Sequence, residues 1–284
     1  MDNTAPIFVV GSGRCGTASL AKALSIYDTI EVHHEYAVVS VQVLGFNYYH
    51  NFYSSTYIKN ILFNIYQRAI YYCNKPIWMD CSNKISWLIK PITDIFPNAR
   101  FVWLVRDGRK VVSSFYHKLG MECYDDRSVS ITKDWMRSFV KEESKPEPPL
   151  EKKYWWPLPP NCLEMSQFER ICWHWNCINR FILWNTKHFS PERLLRLKLE
   201  QLTSQNYGRI EVKRLLDFIG VPFREEVVES FRIPHNVSEP VDYQLTDEQD
   251  SVFWRYCKPM MSQFNYSNTQ KTYTVNYHPL GYMR

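Results

Sequence analysis

The chain is predicted to be an α/β protein, with a central parallel sheet flanked by helices and one long irregular insertion. Three observations predict it. Short, continuously apolar runs alternate with helix-length amphipathic ones through the first half of the chain, the pattern of βαβ units whose strands are covered on both faces. Two of the apolar runs end in joints of one kind, "IFVVGSGRCGT" and "FVWLVRDGRK", each passing from strand through a polar turn into a helix. Over residues 121–160 the alternation stops, in "KEESKPEPPLEKK" and "YWWPLPP", which are too proline-rich for sheet or a long helix.

In order, residues 7–10 read as a strand, Gly11, Gly13 and Gly16 as a loop, and a helix starts at Thr17. "TIEV" (29–32) is a strand, 53–72 a long helix, "PIWMD" (76–80) a strand, 86–95 a helix and "RFVWLV" (100–105) a strand. Beyond the insertion, Phe168, Ile171, Cys172, Trp175, Ile178 and Ile182 recur at helical spacing, a core stripe rather than a cofactor box. "LLRLKL" (194–199) alternates as a strand, and a helix over 210–219 stops at Gly220 with Pro222 just beyond. Thr246 and Gln249 form a capping box for a last helix running to Phe264. No internal repeat is visible, and 1–284 reads as one domain.

The 284 residues, 45% hydrophobic and 16% aromatic, are enough for a sizeable core and exclude a disordered chain. A net charge of +5, with pI near 8.7, suits a small polyanionic ligand and lacks the Lys/Arg blocks of a nucleic-acid or membrane binder. The apolar run after "MDNTAP" has no basic segment before it and is too short for a signal peptide, and no stretch approaches a membrane span. A cytoplasmic protein without a membrane anchor is expected. The eight cysteines include no CxxC pair, so reduced thiols are expected. "CWHWNC", with Cys172, His174 and Cys177, scatters its ligands over several helix faces and is not read as a metal site.

The loop from Gly11 to Ala18 aims backbone N–H groups and a helix N-terminus at one point, which favours an anion, most often phosphate. Three readings fit. Gly11, Gly13 and Gly16 satisfy the dinucleotide fingerprint, with Glu31 placed as the ribose acid; this is the reading of a nicotinamide or flavin oxidoreductase. A Walker loop would need lysine where Thr17 stands and a hydroxyl where Ala18 stands. The third pairs the loop with "FVWLVRDGRKVVSSFYHK", where Arg106 ends a strand and Ser114 follows on the next helix. Such a guanidinium and hydroxyl converge on a further phosphate, and two phosphate sites imply a nucleotide phosphorylated at two places. Arg109 and Ser113 are weaker candidates, Asp107 is placed to fix the motif arginine, and His117 is read as a surface or core residue.

On these motifs the chain resembles the sulfotransferases that use 3′-phosphoadenosine 5′-phosphosulfate. "GRCGT" is similar to their 5′-phosphosulfate loop and "RDGRKVVSS" to their 3′-phosphate motif, while "DCSNK" (80–84) and "LKLEQLTSQNYGRIEVKRLLDFIGVP" extend the likeness over most of the chain outside 121–160. Cys15 departs from the usual serine; a buried inert thiol is expected there, a thiol of lowered pKa being the alternative. The resemblance implies that Gly11, Ser12, Gly13, Arg14, Cys15, Gly16, Thr17 and Ala18 hold the 5′ end of the donor, Arg14 being the usual basic residue, and that Arg106 and Ser114 hold its 3′-phosphate. It implies no metal, and adenosine 3′,5′-bisphosphate as product. One branch of the family uses a glutamate base after the second strand, which implies Glu35 here, with His33 and His34 of "EVHHEY" as further bases or acceptor contacts. Family position puts Asn83 and Lys84 at the acceptor; Tyr154, Trp155 and Trp156, on a proline-stiffened aromatic stretch, either close over it as a lid or form a surface flap packed on the core. The acceptor is expected to be a soluble small molecule, with a carbohydrate, or a non-catalytic nucleotide-binding protein, as alternatives.

Overall fold

The computed structural model describes residues 5–120, 123–141, 155–233 and 245–267. Strands β1 (Ile7–Val10), β2 (Ile30–His34), β3 (Ile77–Cys81), β4 (Arg100–Val105) and β5 (Leu194–Lys198) form one sheet in the order β2-β3-β1-β4-β5, every pair parallel. The helices are α1 (Thr17–Leu24), α2 (Val38–Tyr49), α3 (Ser55–Tyr71), α4 (Ile89–Ile95), α5 (Gly108–Lys118), α6 (Asp126–Lys141), α7 (Gln167–Thr186), α8 (Leu199–Leu202), α9 (Gly208–Ile219), α10 (Glu225–Arg232) and α11 (Asp247–Gln263).

The strands are apolar throughout because both faces of the sheet are covered. Side chains alternate along β1, so Ile7 and Val9 join Met79, Val102, Leu104 and Leu197 in a layer roofed by α1, α9 and α10. Phe8 points the other way, into a layer with Trp78, Phe101 and Trp103 that α3, α4, α7 and α11 cover. The register sets Ile7 beside Met79 and Arg100, and Val10 beside Trp103, which brings the ends of β1, β3 and β4 to one edge.

Several predicted boundaries agree with the structure. Gly220, at φ 94°, ends α9, and Thr246 and Gln249 make both hydrogen bonds of the capping box that opens α11. Strand β2 runs two residues past its predicted end, to His34. Helix α2 escapes periodicity because "VVSVQVLGF" is apolar on nearly every face, its Val41, Leu44 and Phe46 all being buried.

The reading of 121–160 as uniformly irregular is corrected by α6. Val129, Thr132 and Trp135 are buried along one side of that helix, with Met136 and Phe139 packed beside them. The charges between these residues and the proline run after them hide the stripe in the sequence. Residues 142–154, Tyr154 included, lie outside the described residues. From Trp155 to Pro159 the chain is buried. Among the described residues no helix is long and apolar enough to cross a membrane.

Candidate functional site

In open parallel sheets ligands gather at the carboxyl ends of the strands, and the glycine-rich loop after β1 lies there. Gly13, Arg14 and Gly16 take φ values of 80°, 53° and 100°, so the chain curls back on itself before α1. Gly13 admits no side chain: a Cβ there would stand 2.7 Å from Nδ2 of Asn83.

The loop carbonyls are held by protein groups. Ser86 Oγ accepts from the Gly11 N–H and donates to the Gly11 carbonyl, each at 2.9 Å. His174 Nε2 lies 3.2 Å from the Ser12 carbonyl, Ser12 Oγ donates to the Gly13 carbonyl at 3.1 Å, and Arg106 Nη1 donates to the Arg14 carbonyl at 2.8 Å. In a trans peptide C=O and the next N–H point in opposite directions, so anchoring the carbonyls from outside turns the following N–H groups inward. Those of Ser12, Gly13 and Cys15 point at the Cys15 sulfur, and the positive end of α1 follows at Thr17 and Ala18.

Burial pushes the Cys15 thiol up to about 11, against the pull of those N–H groups and of Arg106. At neutral pH it is a protonated, inert thiol, and the alternative of an activated thiolate does not hold.

The two motifs converge. Arg14 Nε donates to Ser114 Oγ at 3.0 Å while Arg106 holds the Arg14 carbonyl, so residues about 100 positions apart meet in a half-buried cationic patch. Asp107 pairs with Arg109 rather than with the motif arginine, Arg106: Nε to Oδ1 is 3.0 Å and Nη2 to Oδ2 is 2.7 Å, both side chains buried. Arg109 is thereby neutralised and withdrawn from any phosphate. Ser113 is buried and His117 exposed. The backbone N–H of Asp107 donates to Glu200 Oε1 at 2.8 Å, and Glu200 Oε2 accepts from the Tyr266 hydroxyl at 2.8 Å, which ties the start of α5 to the end of α11.

Alternation along β2 separates its histidines. His34 shares the α1 side of the sheet, and its Nε2 lies 3.5 Å from Thr17 Oγ1. His33 faces the other layer, 3.0 Å from Glu31 and against the rings of Tyr36 and Trp78. Glu35 follows in a left-handed turn, φ 59°, with Ala37 at 49°. Asp80 underpins that turn: Oδ1 accepts from the Tyr36 N–H and Oδ2 from the Tyr66 hydroxyl, both at 3.1 Å. Burial pushes the Asp80 carboxyl up to about 7, these donors opposing and the Glu35 charge adding to the rise.

Asn83 and Lys84 are buried on the 3₁₀ turn Asn83–Trp87 after β3. The Lys84 ammonium stands 3.2 Å from the centre of the Trp156 ring, and Trp156 packs on Phe115 and His174. Trp156 therefore lies near the loop. Trp155 instead turns to Phe46 and Trp135.

Ser86, His174 and Asp80 were not legible in the sequence as site residues, since each acts on a partner at least 44 positions away. In "CWHWNC" His174 bonds toward Ser12 and Tyr124, and Cys177 lies 3.3 Å from the Tyr49 hydroxyl. Among the described residues no group of His, Cys, Asp or Glu is arranged to hold a metal ion. The dinucleotide reading meets a topological obstacle: it needs the second strand directly beside the first, whereas β3 intervenes and Glu31 is engaged by His33.

The profile of the sulfotransferase family matches residues 6–145. Among solved structures, the sulfotransferase domain of the Synechococcus olefin synthase superposes with a TM-score of 0.51 at 14% identity, over 94% of this chain and 98% of that one, a likeness of fold. The sulfotransferase domain of the curacin biosynthetic pathway gives 0.49 at 15% identity, covering 93% of this chain and 98% of that one. A sulfotransferase from Mycobacterium avium gives 0.49 at 13%, covering 94% and 78%. Among curated proteins, none matches the chain.

Proposed function

From the sulfotransferase-family match over residues 6–145, we propose that the chain moves a sulfuryl group from 3′-phosphoadenosine 5′-phosphosulfate to a hydroxyl or amine of a small-molecule acceptor. The observation that carries the reading is the meeting of Arg14, Arg106 and Ser114 at one turn. A single nucleotide bearing phosphates at both ends explains two cationic motifs brought to one place; a dinucleotide or nucleoside triphosphate explains only the first.

In this reading the loop from Gly11 to Ala18 receives the 5′ end of the donor, the positive end of α1 and Arg14 facing the departing phosphate, and Arg106 and Ser114 receive the 3′-phosphate. Glu35 takes the proton from the attacking oxygen or nitrogen as the new bond to sulfur forms and the sulfur–phosphate oxygen bond breaks, leaving adenosine 3′,5′-bisphosphate. The transferred group changes little, so positioning and charge stabilisation supply most of the rate, as in phosphoryl transfer. The intervening strand β3 sets β2 about 10 Å from β1 across the sheet, which leaves room for the acceptor between base and loop. Lys84 and Trp156 border that space.

The test is calorimetric titration of the full chain with adenosine 3′,5′-bisphosphate, NADH and ATP in parallel. Micromolar binding of the bisphosphate alone supports the reading, and selective binding of NADH refutes it. Turnover of 35S-labelled donor with panels of phenols, amines and sugars then separates small-molecule from carbohydrate acceptors, and its absence with every panel favours a non-catalytic nucleotide-binding protein.

A further inference from the structure

We propose that His174 is a positioning residue which clamps the donor loop to the segment bearing Trp156, through Ser12 on one side and Tyr124 on the other. The inference rests on reading the loop as the donor site.

His174 is fully buried on α7 and uses both ring nitrogens. Nε2 is 3.2 Å from the Ser12 carbonyl, and Nδ1 is 3.0 Å from the Tyr124 hydroxyl. A carbonyl only accepts, so the ring proton sits on Nε2, and Nδ1 is left as an acceptor facing the Tyr124 hydroxyl. The same hydroxyl lies 2.8 Å from the Pro157 carbonyl, adjoining Trp156, so its hydrogen is shared between ring and segment. Leu158 donates in turn to His50 Nε2 at 3.2 Å. The loop, α7, Tyr124 and residues 156–158 are thus linked through the imidazole and the Tyr124 hydroxyl.

The consequence for the loop is orientation. With its carbonyl drawn toward α7, the Ser12–Gly13 peptide presents the Gly13 N–H to the inside of the turn. Gly13 is the residue least able to resist rotation, since no side chain restrains it. A clamp is needed there, and the neutral imidazole supplies it. Burial pushes His174 down to about 3, with the Ser12 carbonyl opposing and Lys84 assisting, so the ring stays neutral over the physiological range. On the other side, the rings of Phe115, Tyr124 and Trp156 lie 4.8–5.6 Å from the imidazole, centroid to centroid, so a shift of the loop is passed to the Trp156 segment.

Three readouts test this on the full chain. Without nucleotide, 15N NMR of the histidine rings should show one imidazole fixed as the Nε2–H tautomer and unprotonated down to pH 5, its Nδ1 signal moving in Y124F. A titrating or tautomerically averaged His174 overturns the clamp whether or not nucleotide binds. With adenosine 3′,5′-bisphosphate, H174Q, whose amide N–H reaches the place of Nε2–H, should bind within about threefold of the parent. H174F should bind about tenfold more weakly. Hydrogen exchange at residues 155–158 should slow on binding in the parent and not in Y124F. Equal losses in H174Q and H174F, or exchange indifferent to Y124F, overturns the proposal; failure of the unaltered chain to bind the bisphosphate overturns the donor reading instead, and the ring NMR still decides the clamp.

Discussion

Replacing Asp80 with asparagine should steepen the dependence of stability on pH. The Asp80 carboxyl lies buried beneath the turn that bears Glu35, its value raised from 3.8 to about 7. In the folded chain it keeps its proton to near neutrality, whereas in the unfolded chain it loses that proton near pH 4. Its contribution to stability is therefore complete below about pH 4 and lost as pH rises through 7. A rise of that size corresponds to about 4 kcal/mol across the window. Two histidines act in the opposite sense. Burial lowers His174 from 6.5 to about 3 and His50 from 6.5 to about 4, so their contributions are present above pH 6.5 and fall away on acidification. Between about pH 4.5 and 6 the unfolded chain holds both imidazole protons and the folded chain holds the one on Asp80. These three groups leave a net uptake of one proton on unfolding, a slope of about +1.4 kcal/mol per pH unit. An asparagine in that place cannot titrate, so D80N should show two protons and a slope near 2.7 kcal/mol per unit, while its amide oxygen still accepts from Tyr36. Urea unfolding followed by circular dichroism from pH 4.5 to 8 measures both slopes. A stability difference between D80N and the parent that stays constant over that range would show Asp80 ionised throughout and refute the reasoning.

Arg106→Ala should weaken adenosine 3′,5′-bisphosphate by about 10- to 100-fold, the usual worth of a charge-assisted bond to phosphate, with a smaller loss for Ser114→Ala; calorimetry against adenosine 5′-monophosphate, which has no 3′-phosphate, should show much of the difference vanish. Glu35→Gln should cut sulfuryl transfer by about 100-fold or more and leave bisphosphate affinity within about threefold, whereas a larger loss from His34→Gln would move the base to the histidine beside Thr17. Cys15 should resist a thiol-specific reagent at pH 8 in the native chain and react on unfolding in urea, since burial keeps it protonated; rapid native labelling contradicts that. Gly13→Ala should lower bisphosphate affinity by about tenfold or more in calorimetry, because its φ of 80° and the Asn83 amide both oppose a methyl group.

Local regularities were legible wherever chemistry and chain neighbours coincide. Continuous apolar runs mark strands covered on two faces, and β1, β3, β4 and β5 fall where the runs lie. The caps at Gly220 and Thr246 were readable because a cap bonds within four residues. The loop, Arg106 and Ser114 could be named because each sits at a strand end or on the helix that follows.

What the sequence determined by itself was the five strands and those helices marked by a clear apolar period or a cap, since these depend on hydrophobic period and on backbone groups a few residues apart. Tertiary structure alone decided that β3 inserts between β1 and β2, which removes Glu31 from the loop and leaves His34 beside it. It also decided that Asp107 pairs with Arg109, and that Ser86 and His174 grip the loop carbonyls. Strand order and long-range hydrogen bonds follow from how whole faces pack, and no window of neighbouring residues records which faces will meet.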